Sequence, residues 1–195
     1  MFRFFRENSY SIIKLYVNQI GIMIFSLALL FPIDTIAGSD GSSNLLSVVT
    51  SLLSIAFYYV LIYYAVWEIG AKDKIRVDSG RYERKRFKGL FIALWANLPN
   101  LILSIPHLIF TITAFFGGTG KQIYGALTAI LRFHCSMYLG VILGLTGFDV
   151  ESAGAQIAVG VLFIIVPLLS LAVAHIAYAL GSRDKRIFSF IAPKK

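Results

Sequence analysis

The chain is short of charge, of cysteine and of any long hydrophilic run. Only 14% of its 195 residues are Asp, Glu, Lys or Arg, and 10 of them are acids. The single cysteine, Cys135, excludes an intrachain disulfide and says nothing of a redox compartment, since a lone thiol in an apolar segment is a small hydrophobe. There is no His-Glu-x-x-His, Gly-x-Ser-x-Gly or Gly-x-Gly-Asp, and no carboxylate cluster of the kind a metal site needs. The three histidines, His107, His134 and His175, fall on three different stretches. No cofactor, metal or catalytic chemistry is therefore expected. Without a hydrophilic stretch long enough for a second domain, residues 1–195 read as one unit, and neither an internal repeat nor a low-complexity segment interrupts it.

What is abundant is hydrophobe. Apolar residues make up 57% of the chain, and mean hydropathy is +0.76. A soluble globule of this length could not hide that much apolar surface, whereas lipid accepts it. Phe (16) and Tyr (10) are frequent, as they are where rings sit at bilayer interfaces. The net charge of +8 is carried by loops and tails. It marks the cytoplasmic side and anionic headgroups rather than nucleic acid. Arg3, Arg6 and Lys14 before the apolar run Ile20–Ile33 have the layout of a secretory signal. The run is long for one, and we read it as an uncleaved first membrane helix.

Five hydrophobic stretches emerge: Ser11–Ile33, Leu45–Gly70, Phe87–Phe116, Gln122–Gly147 and Ala155–Leu180. Helices are the expected spanning elements, because the runs are continuously apolar and lack a barrel's alternation. Between them, 34–44 is acidic and turn-rich, Gly117–Gly120 is a tight turn, and 148–154 carries Asp149 and Glu151. Lys72–Lys88 holds eight basic residues against three acids. The turn signal Asp78-Ser-Gly80 leaves either a small basic hairpin or two helix extensions there. The tail, 181–195, is basic again.

This distribution sets a parity problem. The N-terminus, the 72–88 loop and the tail all belong in the cytoplasm by the positive-inside rule, yet five simple spans put the tail outside. Two devices restore an even count. Gln122–Gly147 could be re-entrant, turning near Arg132-Phe-His134. Alternatively, Phe87–Phe116 could break at Asn97-Leu-Pro-Asn100 or at Pro106, since proline cannot continue the helical ladder. The expected fold is thus an all-α integral membrane bundle with both termini cytoplasmic, in a bacterial-type plasma membrane. It has either four full spans plus a half-helix pair, or six spans.

The polar residues inside these stretches are the candidate site: Arg132, His134, Asn97, Asn100 and Glu68. A guanidinium keeps its proton, so Arg132 inside a membrane segment needs an anion, an acidic partner or water. The alternative is that it snorkels or sits at a re-entrant turn. Glu68 is its natural carboxylate, although Glu68 also stands four residues before Lys72, at salt-bridge spacing, beside the interface residue Trp67. Asn97 and Asn100 flank Pro99 as in the broken helices of transporters, or as in a plain kink. His107, just after Pro106, could cap or line the same break. Gly117-Gly-Thr-Gly-Lys121 is not a phosphate loop, because Phe115 and Gln122 stand where that motif needs Gly and Ser or Thr. Gly140-Val-Ile-Leu-Gly144 permits close helix approach, internally or across a dimer.

The resulting expectation is a non-enzymatic membrane protein that binds or transports a small solute, lipid or ion through a polar site in the bundle. The alternative is an accessory subunit of a larger membrane complex. Its basic loop, with Arg81, Arg84, Lys85, Arg86 and Lys88, would dock anionic headgroups or a membrane-protein partner. In length, hydropathy and the six-span option the chain resembles the substrate-binding subunits of energy-coupling-factor vitamin transporters. That resemblance is one of size and topology and implies no site residue.

Overall fold

The computed structural model describes residues 2–36, 41–83, 85–115, 121–147 and 152–187. Arg84, the Gly117–Gly120 turn, Asp149, Glu151 and the last residues of the basic tail lie outside that set. The described chain is helical, with no strand in it: α1 (Phe2–Ile36), α2 (Gly41–Asp78), α3 (Lys88–Ala96), α4 (Leu98–Phe115), α5 (Lys121–His134), α6 (Ser136–Leu145) and α7 (Ala153–Gly181).

Three helices, α1, α2 and α7, are long and apolar enough to cross a membrane. At 1.5 Å per residue each exceeds a hydrocarbon core of about 30 Å. Their outer faces carry the exposed hydrophobes Val17, Phe57 and Leu169, as lipid-facing surfaces do. The 34–44 segment expected to be a loop is shorter than that, because α1 runs on to Ile36 and α2 begins at Gly41. In Lys72–Lys88 the helix extension is what forms on one side: α2 continues through Asp78, and Gly80 ends it with a positive φ of 72°.

Both candidate breaks occur. α3 and α4 meet at Asn97 with a bend of 56°. Pro99 stands in the first turn of α4, where its missing N–H is harmless, and its ring displaces the carbonyl one turn back. Pro106 sits within α4, so of the two proline sites only the first separates two helices. α5 and α6 meet at Cys135 with a bend of 109°, and neither proline nor glycine stands there.

Contacts place the helix ends. The basic end of the bundle gathers the start of α1, the end of α2, the start of α3 and the end of α7: Phe4 stacks edge-on to Phe91 at 5.8 Å and Phe5 on Trp95 at 4.9 Å. At this end Gly181 packs onto the Trp67 carbonyl and Gly70 onto the Tyr178 carbonyl. No side chain fits at either, and α2 and α7 touch backbone to backbone. The chain beyond α7 folds back on α2. There Trp67 Nε1 donates to the Lys185 carbonyl at 2.7 Å, Arg186 lies over the Trp67 ring at 4.6 Å, and the Ile187 N–H donates to the Tyr63 hydroxyl at 3.0 Å.

α7 runs antiparallel to α3–α4, with Gly89 against Tyr178, Asn97 against Ser170 and Gly160 against Leu108. α5 runs antiparallel to α4, pairing Thr128 with His107 and Cys135 with Asn100. After the break α6 turns outward again, until Gly140 packs on Ser47 and Ser51 near the start of α2. The α5–α6 pair therefore enters the bundle from the end opposite the basic one and returns toward it. Gly140 of the Gly-x-x-x-Gly pair serves internal packing, while Gly144 is exposed.

Candidate functional site

Two polar constructions stand out, one in the middle of the bundle and one at the basic end. The first is where the broken helices meet. Pro167 in α7 has no N–H to give the Phe163 carbonyl one turn back. Asn100 Nδ2 donates to that carbonyl instead at 3.3 Å, and Ser104 Oγ, which donates to the Asn100 carbonyl at 2.8 Å, also stands 3.3 Å from the Phe163 carbonyl. Asn100 Oδ1 in turn accepts from the Cys135 thiol at 2.9 Å. Asn97 Nδ2 donates to the Ala93 carbonyl and to Ser170 Oγ, both at 3.0 Å. The Ser136 hydroxyl donates to the Met23 carbonyl of α1 at 3.0 Å. One seam of neutral amides, hydroxyls and a thiol thus ties α1, α4, α6 and α7 at the two breaks.

Several buried atoms of this region find no hydrogen-bond partner among the described residues: Asn97 Oδ1, His134 Nε2 and, on α1, Gln19 Oε1. His134 lies 6.2 Å, ring to ring, from Tyr16, one turn before Gln19. His107 bonds Thr128 at 3.0 Å and stacks on Tyr124, with Nδ1 unbonded. A buried acceptor left unpaired costs about 1–3 kcal/mol. The seam contains no carboxylate, so it offers polar contact without carboxylate acid–base chemistry.

The structure divides the residues singled out in the sequence. Asn97 and Asn100 join in the seam, and His134 borders it. Arg132 does not: it is exposed on the outer surface of α5, about 16 Å along the helix axis from Lys121. It stands in the last turn of α5, where a cation favours the unpaired carbonyls of the helix end by about 0.3–1 kcal/mol. Glu68 is at the other end of the bundle and pairs with Lys72 at 2.7 Å and Lys14 at 3.7 Å, so no Glu68–Arg132 pair forms.

The second construction was not legible in the sequence. Asp73 and Lys88, in a run that reads as solvated, are buried to 5% and 8% side-chain exposure and pair at 2.8 Å. The Tyr178 hydroxyl donates to the same Asp73 Oδ2 at 2.9 Å. Lys88 must therefore leave the group of docking cations: its ammonium is turned inward, locking α2, α3 and α7 where Gly70, Gly89 and Gly181 bring their backbones together. Arg81, Lys85 and Arg86 stay exposed. Clefts flank the pair, one of about 280 Å³ between α1 and α2 and one of about 230 Å³ between α2 and α7. Among the described residues no three His, Cys, Asp or Glu side chains converge as a metal site would require.

No protein-family model, no curated protein and no solved structure matches this chain.

Proposed function

We propose that the chain is a non-enzymatic integral membrane protein that binds, and passes across the bilayer, a small polar solute or ion at the seam between its two broken helices. In this reading α1, α2, α7 and the bent α3–α4 pair cross the hydrocarbon, while α5–α6 enters and leaves on one side. Apart from Lys121 and Arg132, the described cations gather toward the basic end, which the positive-inside rule assigns to the cytoplasm together with both ends of the chain. The observation that carries the functional half is the 2.9 Å contact of Cys135 with Asn100. Two helices break at facing positions, and unpaired Asn97 Oδ1 and His134 Nε2 are buried beside them. Broken helices in lipid are tolerated where neighbours close them or where they line a site, and the unpaired polar atoms favour the site.

The test is a flux assay in liposomes holding the purified protein, run over protons, alkali cations, halides and small uncharged solutes. One species should cross, and Asn97→Ala or His134→Phe should slow it at least tenfold without lowering the melting temperature by more than a few degrees. Liposomes as tight as protein-free controls, with no bound small molecule in native mass spectrometry, would sink the proposal. The topology is checked separately in a Cys135→Ala background. Cysteines placed at Ser152 and Arg183 should react with an impermeant thiol reagent from opposite sides.

A second reading draws on the exposed side chains at the basic end. Arg81, Lys85 and Arg86 surround exposed Phe87, with exposed Ile75 on the nearby end of α2. That mix of cations and hydrophobes suits an accessory subunit docking a membrane-protein partner or anionic lipid. Neutralising the three cations should then release the partner.

A further inference from the structure

We propose that the cleft between α1 and α2 at the basic end is a phosphate site, and that it holds the headgroup phosphate of a membrane phospholipid between Lys14 and Arg76. The cleft has a volume of about 280 Å³ and is lined by four cations, Lys14 of α1, Lys72 and Arg76 of α2 and Lys88 of α3, against the carboxylates Glu7, Glu68 and Asp73. All three carboxylates are already engaged. Asp73 Oδ2 accepts from Lys88 and Tyr178, Glu68 accepts from Lys72 at 2.7 Å, and Glu7 has a partner as well.

Two of the cations hold their carboxylates only loosely. Arg76 stands 3.9 Å from Asp73 Oδ1, and Lys14 stands 3.7 Å from Glu68 Oε2. Both separations are ion-pair contacts too long for hydrogen bonds. A guanidinium has five donors in a planar fork and an ammonium has three, so the two bring ample donors to one opening from two helices. The group that suits them is a compact anion with several acceptor oxygens, which is the chemistry of phosphate. Their side chains are 63% and 44% exposed, so the anion can arrive from outside without opening the bundle.

The source of the phosphate follows from where the cleft sits, and this step rests on the membrane reading above. Trp67, the residue before Glu68, is the kind of ring found at headgroup depth. On α1, Tyr10, Lys14, Val17 and Ile24 share one exposed face at helical spacing, with apolar Val17 and Ile24 on it toward the middle of the bundle. A phospholipid seated with its phosphate at Lys14 and Arg76 has an apolar strip for its acyl chains. A soluble phosphate compound has no use for that strip.

The experiment uses the full chain, delipidated in detergent, titrated with phosphatidylglycerol, diacylglycerol and glycerol phosphate, and read by native mass spectrometry. Phosphatidylglycerol should be retained and diacylglycerol should not. Lys14→Gln and Arg76→Gln should each weaken retention, and together by at least tenfold. Arg81→Gln, in the loop outside the cleft, should leave it unchanged. Unaltered retention in the double variant overturns the site, and so does an equal loss on Arg81→Gln, which would mean diffuse attraction to basic charge. Glycerol phosphate binding as tightly as the lipid, with the same sensitivity to Lys14 and Arg76, would uphold the phosphate site and overturn the lipid as its source. Neither substitution touches Asn97, Asn100, His134 or Cys135, so this site and the seam can fail independently.

Discussion

Replacing Asp73 by Asn should be the most damaging isosteric change at the basic end. The substitution keeps an acceptor for Tyr178 but removes the charge facing Lys88, whose ammonium is 2.8 Å away and whose side chain is 8% exposed. A buried charge stripped of its partner costs about 3–5 kcal/mol. For a chain of 195 residues, where 1 kcal/mol moves the melting temperature by about 2–4 °C, that is a drop of about 6–20 °C. Lys88→Met should cost less. The carboxylate it leaves behind keeps the Tyr178 hydroxyl at 2.9 Å, and Arg76, now 3.9 Å from Oδ1 and largely exposed, can swing in. The double variant, with neither charge, should recover most of the loss and melt within about 1 kcal/mol of the parent. The protein carries its own probe for this measurement. Cys135 is the single cysteine and is 1% exposed, so a dye that fluoresces on thiol capture reports unfolding without an introduced label. If the double variant melts where the sum of the two single shifts puts it, the pair is not coupled and the reasoning fails.

Gly140→Ala should lower stability by about 1–3 kcal/mol, because the new Cβ would run into the Ser47 carbonyl and Ser51 Oγ; Gly125→Ala, with open space around it, serves as the control in the same melt. Asn100→Ala should cost about 1–3 kcal/mol through the Phe163 carbonyl, and Pro167→Ala, by restoring an N–H to that carbonyl, should shrink the loss in a double-mutant cycle. Arg132→Leu should move stability by no more than about 0.5 kcal/mol, as expected of an exposed side chain without a carboxylate partner among the described residues; a loss of several kcal/mol would show that Arg132 is bound into the bundle after all.

The coarse plan was readable because it rests on periodicity and sums. All five apolar stretches become helices; the charge count called for one stretch that is not a simple span, at either of two places, and both places are bent. Asn97 was identifiable because proline leaves a chemical signature. The position of the second break had only a polar cue, Arg132-Phe-His134, with no residue that forces it. The bend at Cys135 is held by partners far away in sequence: Asn100, Met23 and Ser51. Asn100 itself could be seen as a polar residue in an apolar stretch, but not as the group that satisfies a carbonyl freed by Pro167, because that needs the register of α4 against α7. Asp73 and Lys88 were hidden for another reason. In a segment this rich in charge, every side chain reads as solvated, and only the close approach of Gly70, Gly89 and Gly181 shows which two are shut in.

The route of the chain through α5 and α6 also orders its own making. Among the described residues, the hydrogen-bonding partners outside the pair that these two short helices find are on α1, α2 and α4, all earlier in the sequence. When the pair leaves the ribosome, the walls that supply these hydrogen bonds have therefore already been synthesised, and only the side of α6 that meets α7 waits for its cover. α7 comes last, and its contacts run to α2, α3, α4 and α6, so the final helix closes over a nearly finished interior. A truncation before residue 153 should leave the pair with its named partners but without that cover, a nascent intermediate that could be arrested and probed.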